Sequence, residues 1–124
     1  MPSTASNPSE RPALGLYLSV PFCKSKCTFC NFASQVYPAA VYDAYCSLLV
    51  RELELAVATD HLDGARLESI YWGGGTPSLL PPAAFARVVL AIRRRFVLTD
   101  DCEHTVEVAR GGLDDAHLAA FAAA

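Results

Sequence analysis

Residues 14–32 read LGLYLSVPFCKSKCTFCNF, an apolar run followed at once by three closely spaced cysteines. The first seven of these residues, 14–20, are rich in strand-forming types and predict a buried β-strand. The three cysteines, Cys23, Cys27 and Cys30, therefore lie on a loop that begins where this strand ends. Thiols gathered on one loop indicate metal binding or catalysis. In parallel α/β folds, ligands bind where strands end, which is where this loop begins.

The pattern after this loop changes from strand to helix, and the alternation then repeats along the chain. Apolar residues recur at helical spacing from Pro38 to Val57, with charged residues between them. A glycine triplet ends the next apolar run, and a pair of prolines opens the next helical pattern. The further predicted strands are 67–72 (LESIYW) and a shorter one at 104–109 (HTVEVA), and the further predicted helices begin at Pro81 and at residue 113.

Strands that alternate with helices favour a parallel sheet with right-handed crossover connections. Three such units do not close a (β/α) barrel, which needs about 250 residues. The last helical pattern runs into Ala124 without a glycine or proline stop. We therefore expect an α/β fold in which residues 14–124 form the N-terminal three strand–helix units of a partial (β/α) barrel, truncated before closure. The alternative is a complete small α/β domain with an alanine-rich end.

Composition restricts the class of protein further. The chain has 124 residues, of which 52% are hydrophobic, and a formal net charge of -3, which suits a packed domain and argues against binding nucleic acid. Residues 1–13 are rich in serine, proline and asparagine, and we expect them to be disordered. The sequence shows neither a secretory signal nor an apolar run of the ~18 residues that cross a membrane. It therefore predicts a cytoplasmic protein, where thiols stay reduced.

Three thiolates on one loop can ligate three irons of an iron–sulfur cluster and leave a fourth iron open to a substrate. A zinc site is the first alternative, but it needs four ligands, and none of His61, His104 and His117 has zinc-finger spacing. Unliganded reduced thiols are the second alternative. The remaining two cysteines have no partner at useful spacing, so we predict Cys46 in the core of the first helix and Cys102 in the turn before the third strand.

The spacing Cys-x3-Cys-x2-Cys, with an aromatic residue before the third cysteine, resembles the radical S-adenosylmethionine (SAM) superfamily. The segments LYLSVPFCKSKCTFCNF and IYWGGGTPSLL are similar to the HemN/HemW family of coproporphyrinogen-oxidase-like proteins. This resemblance implies a radical SAM barrel with a [4Fe-4S] cluster on Cys23, Cys27 and Cys30. It also implies that SAM chelates the fourth iron through its amino and carboxylate groups. An electron donor would then drive cleavage of SAM to methionine and a 5′-deoxyadenosyl radical.

The resemblance also assigns contacts to SAM on and beside the first strand. Tyr17 corresponds to the family's tyrosine near the SAM sulfonium, and its alternative role is a strand aromatic packed in the core. Phe29 corresponds to the aromatic residue at the adenine side of SAM, and its alternative role is to cover the cluster.

Further SAM contacts are implied at the ends of the second and third strands. Gly74, Gly75 and Thr76 belong to the family's GGGTP segment, which would meet the amino-acid end of SAM. Glycines let a backbone approach a ligand closely, although a glycine triplet alone is more often a simple turn. Glu107 matches a family glutamate that hydrogen-bonds SAM, and its alternative role is a solvated carboxylate.

The residues around these motifs indicate a branch of the family. Ser19 stands where many relatives have histidine, and Ala109-Arg110 stands where they have Asn-Pro or Asp-Pro. Phe32 replaces a cysteine that the oxidase branch, HemN, tends to carry two positions after the third ligand. This pattern resembles the HemW branch and implies a haem chaperone that delivers haem to acceptor proteins. The alternatives are a radical oxidase that decarboxylates coproporphyrinogen III in porphyrin biosynthesis, and a non-catalytic metal-binding module.

Overall fold

The computed structural model of the protein describes residues 11–22, 40–108 and 114–124. Within these ranges strands and helices alternate, which confirms the predicted α/β class. The elements are β1 (Leu14–Val20), α1 (Ala40–Thr59), β2 (Arg66–Gly74), α2 (Pro82–Arg95), β3 (Val97–Val106) and α3 (Asp115–Ala123). The boundary predicted after residue 13 stays a prediction, because residues 1–10 lie outside the described ranges.

The three strands form one parallel sheet in the order β1-β2-β3. The register aligns Val20 with Gly74 and Trp72 with Val106, so the carboxyl ends of all three strands lie at the same edge. The cysteine loop follows the end of β1, the glycine triplet spans the end of β2, and Glu107 follows the end of β3. Ligands of parallel α/β folds bind at this edge.

The sheet has one apolar face and one polar face. Leu18, Val20, Ile70 and Trp72 point into a core that includes the apolar side of α2. Side chains alternate along a strand, so their neighbours lie on the opposite face. We call this opposite face the open face; it carries Tyr17, Ser19, Tyr71, Gly73, Thr105 and Glu107. In a (β/α) barrel the helices form the outer layer, so the open face corresponds to the barrel interior.

The prediction for the third strand was wrong in its length. β3 begins at Val97, seven residues before the predicted start, and ends at Val106, so Glu107 follows the strand directly. Cys102 consequently lies within β3 and not in a preceding turn. The segment 99–103 is polar and therefore resembles a turn in sequence. A register shift accommodates it, since β3 advances from Leu98 to Glu103 while β2 advances only from Leu67 to Ser69.

A buried hydrogen bond joins β2 to β3 on the apolar face. The indole N–H of Trp72, which is fully buried, donates to Nε2 of His104 at 2.9 Å. His104 must therefore be unprotonated at that nitrogen. Burial, with a smaller contribution from Arg93, lowers the pKa of His104 below its ordinary value.

This arrangement predicts that acid weakens the fold. Because the folded pKa of His104 is depressed, the unfolded chain binds more protons below the ordinary value of about 6.5. Stability is therefore full above that pH and falls as the pH drops towards the folded pKa. We expect His104→Gln, which keeps an acceptor for Trp72, to flatten the dependence of the urea midpoint between pH 7 and pH 5.

The control for this experiment is His61→Asn. His61 is exposed and has a φ of 54°, which asparagine tolerates well. This variant should retain the acid sensitivity of the parent protein. Equal slopes for His104→Gln and the parent would contradict the role given to His104.

Candidate functional site

The cysteine loop itself lies outside the described residues. The predictions for Cys23, Cys27, Cys30 and Phe29 therefore stay predictions from sequence. Among residues 11–22, 40–108 and 114–124, no group of three or more histidine, cysteine or acidic side chains could hold a metal ion. The described residues instead show how the loop begins and what lies beside it.

The start of the cysteine loop is fixed by aromatic packing. Phe22, the residue before the first cysteine, is 3% exposed. Its ring lies 4.5 Å from that of Tyr42 and 5.0 Å from that of Tyr45, measured between centroids. The Tyr45 hydroxyl donates to the Ser19 carbonyl at 2.6 Å, and burial, followed by Glu52, raises the pKa of Tyr45, so this donor stays protonated. Helix α1 thus holds the chain in place at the point where the loop leaves the sheet.

The glycine triplet packs directly against this same segment. The N–H of Gly75 donates to the Val20 carbonyl at 2.7 Å, and the N–H of Thr76 donates to the Phe22 carbonyl at 2.6 Å. A Cβ on Gly75 would lie 2.5 Å from the Phe22 carbonyl oxygen, which is too close for any side chain. Gly74 has a φ of +99°, a conformation that favours glycine. Sequence reasoning missed this local explanation for the two glycines.

These hydrogen bonds refine the predicted ligand role of the GGGTP segment. The N–H groups of Gly75 and Thr76 are already used within the chain. A bound molecule would therefore contact the carbonyl groups of this segment or the Thr76 side chain. The predicted contacts of Gly74, Gly75 and Thr76 with SAM stay predictions.

Tyr71, which sequence reasoning missed, contacts both Tyr17 and Glu107 on the open face. Tyr17 is 57% exposed, so it does not pack in the core, and its ring stacks on that of Tyr71 at 5.6 Å with an interplanar angle of 9°. The Tyr71 hydroxyl donates to Oε2 of Glu107 at 2.8 Å. This hydrogen bond to a carboxylate raises the pKa of Tyr71.

The side chains from the three strands converge above Gly73. A Cβ on Gly73 would lie 2.6 Å from the Tyr17 hydroxyl oxygen, 2.8 Å from Cε1 of Tyr71 and 3.0 Å from Oε1 of Glu107. A glycine here leaves a hydroxyl and a carboxylate oxygen facing the same small space. These groups can hydrogen-bond an ammonium or another polar head group. Period-two alternation along β2 would have placed Tyr71 and Gly73 together on the face opposite Ile70 and Trp72.

A profile of the radical SAM superfamily matches residues 17–124. The chain belongs to the radical SAM superfamily. The match includes the three cysteines, the glycine triplet and Glu107, so it agrees with the resemblance that those motifs carry.

Proteins with different names resemble this chain. It is 36% identical over 92 residues to an anaerobilin synthase of Escherichia coli O157:H7, covering 74% of this chain and 21% of that protein. It is also 36% identical over 104 residues to the haem chaperone HemW of Escherichia coli K12, covering 83% of this chain and 27% of that protein. The chain thus spans about a quarter of the length of the curated relatives it matches.

A solved radical SAM structure confirms the predicted fold. The coproporphyrinogen III oxidase HemN from Escherichia coli superimposes with a TM-score of 0.83 and 28% sequence identity. The superposition covers 96% of this chain and 27% of that protein. The three strand–helix units therefore correspond to part of a radical SAM (β/α) barrel.

The family implies SAM and a [4Fe-4S] cluster. The predicted cluster ligands lie outside the described residues, and the described residues fit SAM. The segment that leads to the first cysteine is anchored in the core, at the edge where the polar side chains gather. The space above Gly73 is bordered by a hydroxyl and a carboxylate, which suits the charged end of an amino acid. None of the helices in the described ranges is long and apolar enough to span a membrane.

Proposed function

We propose that this chain is the cluster- and SAM-binding part of a HemW-like haem chaperone of the cytoplasm, which passes haem to acceptor proteins. The observation that carries this proposal is the sequence Cys30-Asn31-Phe32. An additional cysteine in place of Phe32 is typical of the oxidase branch, and this chain lacks it. The chain is 36% identical to a protein named heme chaperone HemW and 38% identical to a protein named oxygen-independent coproporphyrinogen III oxidase, so the choice between them rests on Phe32.

In this proposal the cysteine loop holds the cluster through Cys23, Cys27 and Cys30. Phe22, which directly precedes the first of these ligands in sequence, is buried and packs against α1. When bound and reduced by an electron donor, the cluster supplies the electron for cleavage of SAM. Ligation by three cysteines leaves one iron position for SAM itself.

The remaining site residues would bind and orient SAM. Tyr17 presents its hydroxyl and ring to the open face, and Glu107 presents one carboxylate oxygen to the space above Gly73. Gly74, Gly75 and Thr76 bring a closely packed backbone to the start of the cysteine loop. Phe29, one residue before the third cysteine, would cover the adenine side of SAM.

An oxygen-independent coproporphyrinogen III oxidase is the second candidate. Its support is the likeness to a solved oxidase of that name, with a TM-score of 0.83. Such an enzyme would remove two propionate carboxyl groups from its porphyrinogen substrate by radical chemistry. The presence of Phe32 argues against oxidase activity.

The two candidates differ in their behaviour towards haem and coproporphyrinogen III. We expect the full-length gene product, carrying its cluster, to bind haem at about one equivalent per chain, measured by the change in the Soret absorbance. We expect no carbon dioxide release from coproporphyrinogen III under anaerobic reducing conditions with SAM. Haem bound to the protein should then move to an apo-acceptor upon mixing.

The control is a haem titration of the same protein after it has been unfolded by heat, which separates specific binding from adsorption to apolar surface. Carbon dioxide release in step with 5′-deoxyadenosine would contradict the chaperone proposal and favour the oxidase. Weak, unsaturable haem binding would contradict it as well.

A further inference from the structure

We propose that Tyr71 is a positioning residue that holds the Glu107 carboxylate in the orientation required to bind SAM. This inference rests on the proposed function, because it takes Glu107 to be a SAM contact. Tyr71 is not among the residues that the family resemblance assigns to SAM. Its role is inferred from contacts on the open face.

The two carboxylate oxygens of Glu107 face different neighbours. Oε2 accepts the hydrogen bond from the Tyr71 hydroxyl at 2.8 Å. Oε1 points towards Gly73, at 3.0 Å from the position of a Cβ there. One oxygen is therefore held by the protein, and the other is directed towards the space that the Tyr17 hydroxyl also borders.

Tyr71 is itself held in place on two sides. Its ring stacks almost parallel to that of Tyr17, at 5.6 Å between centroids. Its backbone lies in the central strand of the described sheet, paired with Tyr17 on one side and Thr105 on the other. A tyrosine so restrained loses little conformational freedom when it donates its hydrogen bond. It can therefore fix a glutamate that has just left the end of β3.

A purely structural cross-strand contact is the competing explanation. Directly opposite residues form the closest cross-strand pairs, and a diagonal neighbour is still within reach of an aromatic side chain. Thr105, and not Glu107, is the direct partner of Tyr71 in the register. Both members of the hydrogen bond also lie on the open face, where water competes for it and its contribution to folding is small. The hydrogen bond between Tyr71 and Glu107 becomes stronger when a bound molecule excludes that water.

The test is a double-mutant cycle on SAM binding. The dissociation constant of SAM is measured by equilibrium dialysis on the cluster-loaded full-length protein and on three variants: Tyr71→Phe, Glu107→Ala, which removes the acceptor for the Tyr71 hydroxyl, and the double variant. Tyr71→Phe keeps the stacked ring and removes only the hydroxyl. We expect it to weaken SAM binding by roughly three- to tenfold, the size of one ordinary hydrogen bond, because Tyr71 acts through Glu107 and does not contact SAM itself. In the Glu107→Ala background the same change should have less than a twofold effect.

Thr105→Val is the matched control, because it removes a hydroxyl from the same face without touching the Tyr71–Glu107 bond. It should leave the dissociation constant within twofold of the parent value. The iron content and urea midpoint of each variant show that the fold and cluster are retained. If either is lost in Tyr71→Phe, the cycle is repeated at a lower temperature at which that variant retains both, with the parent protein measured under the same conditions.

The outcomes separate this inference from the proposed function. A full effect of Tyr71→Phe in the Glu107→Ala background would show that Tyr71 does not act through Glu107 and would overturn the inference alone. The same holds if Glu107→Ala weakens SAM binding while Tyr71→Phe does not. If Glu107→Ala leaves SAM binding unchanged, the assigned role of Glu107 fails, and the inference fails with it.

Discussion

Replacing Cys23, Cys27 or Cys30 with alanine is expected to remove the [4Fe-4S] cluster completely. After anaerobic reconstitution with iron and sulfide, the parent protein should contain about four irons per chain, and each variant almost none. The reason is that a cluster ligated by only three thiolates cannot lose one without exposing a second iron. Iron analysis, together with electron paramagnetic resonance of the reduced protein, measures the effect. The parent spectrum should change when SAM is added, because SAM would bind the open iron.

The other two cysteines provide matched controls. Cys46 is fully buried on α1, and burial raises the pKa of its thiol to about 11, so it is a poor ligand. Cys102 is next to Glu103, which pairs with Ser69 of β2. Ser69 lies five residues before Gly74, so Cys102 is roughly 16 Å along the sheet from the candidate site. Cys102→Ala should therefore retain the full iron content. One zinc per chain, and no iron, in the anaerobically prepared parent would instead support the zinc alternative.

Gly75→Ala is expected to cause the largest loss of stability among changes in the described residues near the site. The added Cβ would lie 2.5 Å from the Phe22 carbonyl oxygen and 2.8 Å from that of Val20. Both atoms are backbone, so the segments must separate and weaken the hydrogen bonds between them. We expect a loss of about 2 to 4 kcal/mol in the free energy of unfolding. The melting temperature should fall by about 10 to 20 °C.

The displacement should also reach the cluster, because Phe22 immediately precedes the first cysteine. Iron content after reconstitution should therefore fall even at temperatures where the variant remains folded. Gly15→Ala is the control, since its Cβ would meet only the end of the Ser69 side chain, at 2.8 Å, and that hydroxyl can rotate away. We expect this control to cost less than about 1 kcal/mol. A melting temperature for Gly75→Ala equal to that of Gly15→Ala would contradict the close packing described here.

Much of the fold follows from simple patterns in the sequence. β1 was predicted at 14–20 and lies there, because its residues have strong strand preferences and its end is marked by Pro21. The prediction that this strand is buried was wrong for most of its length, since only Leu18 and Val20 are buried and the other face of the strand is open. The helix that begins at Pro82 was predicted from a proline pair followed by an apolar periodicity. These signals are local, so the sequence alone contains them.

The start of β3 and the role of Tyr71 depend on partners far away in the chain. The polar stretch 99–103 becomes part of a strand only because β3 pairs with β2 through a register shift. Likewise, nothing near Tyr71 in the sequence indicates that its hydroxyl reaches Glu107, 36 residues away. For the same reason, the two glycines were predicted to meet a ligand, while their immediate contact is the backbone of another strand.

The division of the sheet into an apolar face and an open face has a consequence for how this architecture diversifies. The residues that hold the fold together, such as Trp72 and Phe85, are buried on one side, and the candidate chemistry lies on the other. Exchanging a side chain on the open face changes what is bound at little cost in folding energy. Selection can therefore alter the chemistry without rebuilding the scaffold. Independent change of the two faces would produce relatives with one scaffold and different activities. The relatives named as a synthase, a chaperone and an oxidase agree with this expectation.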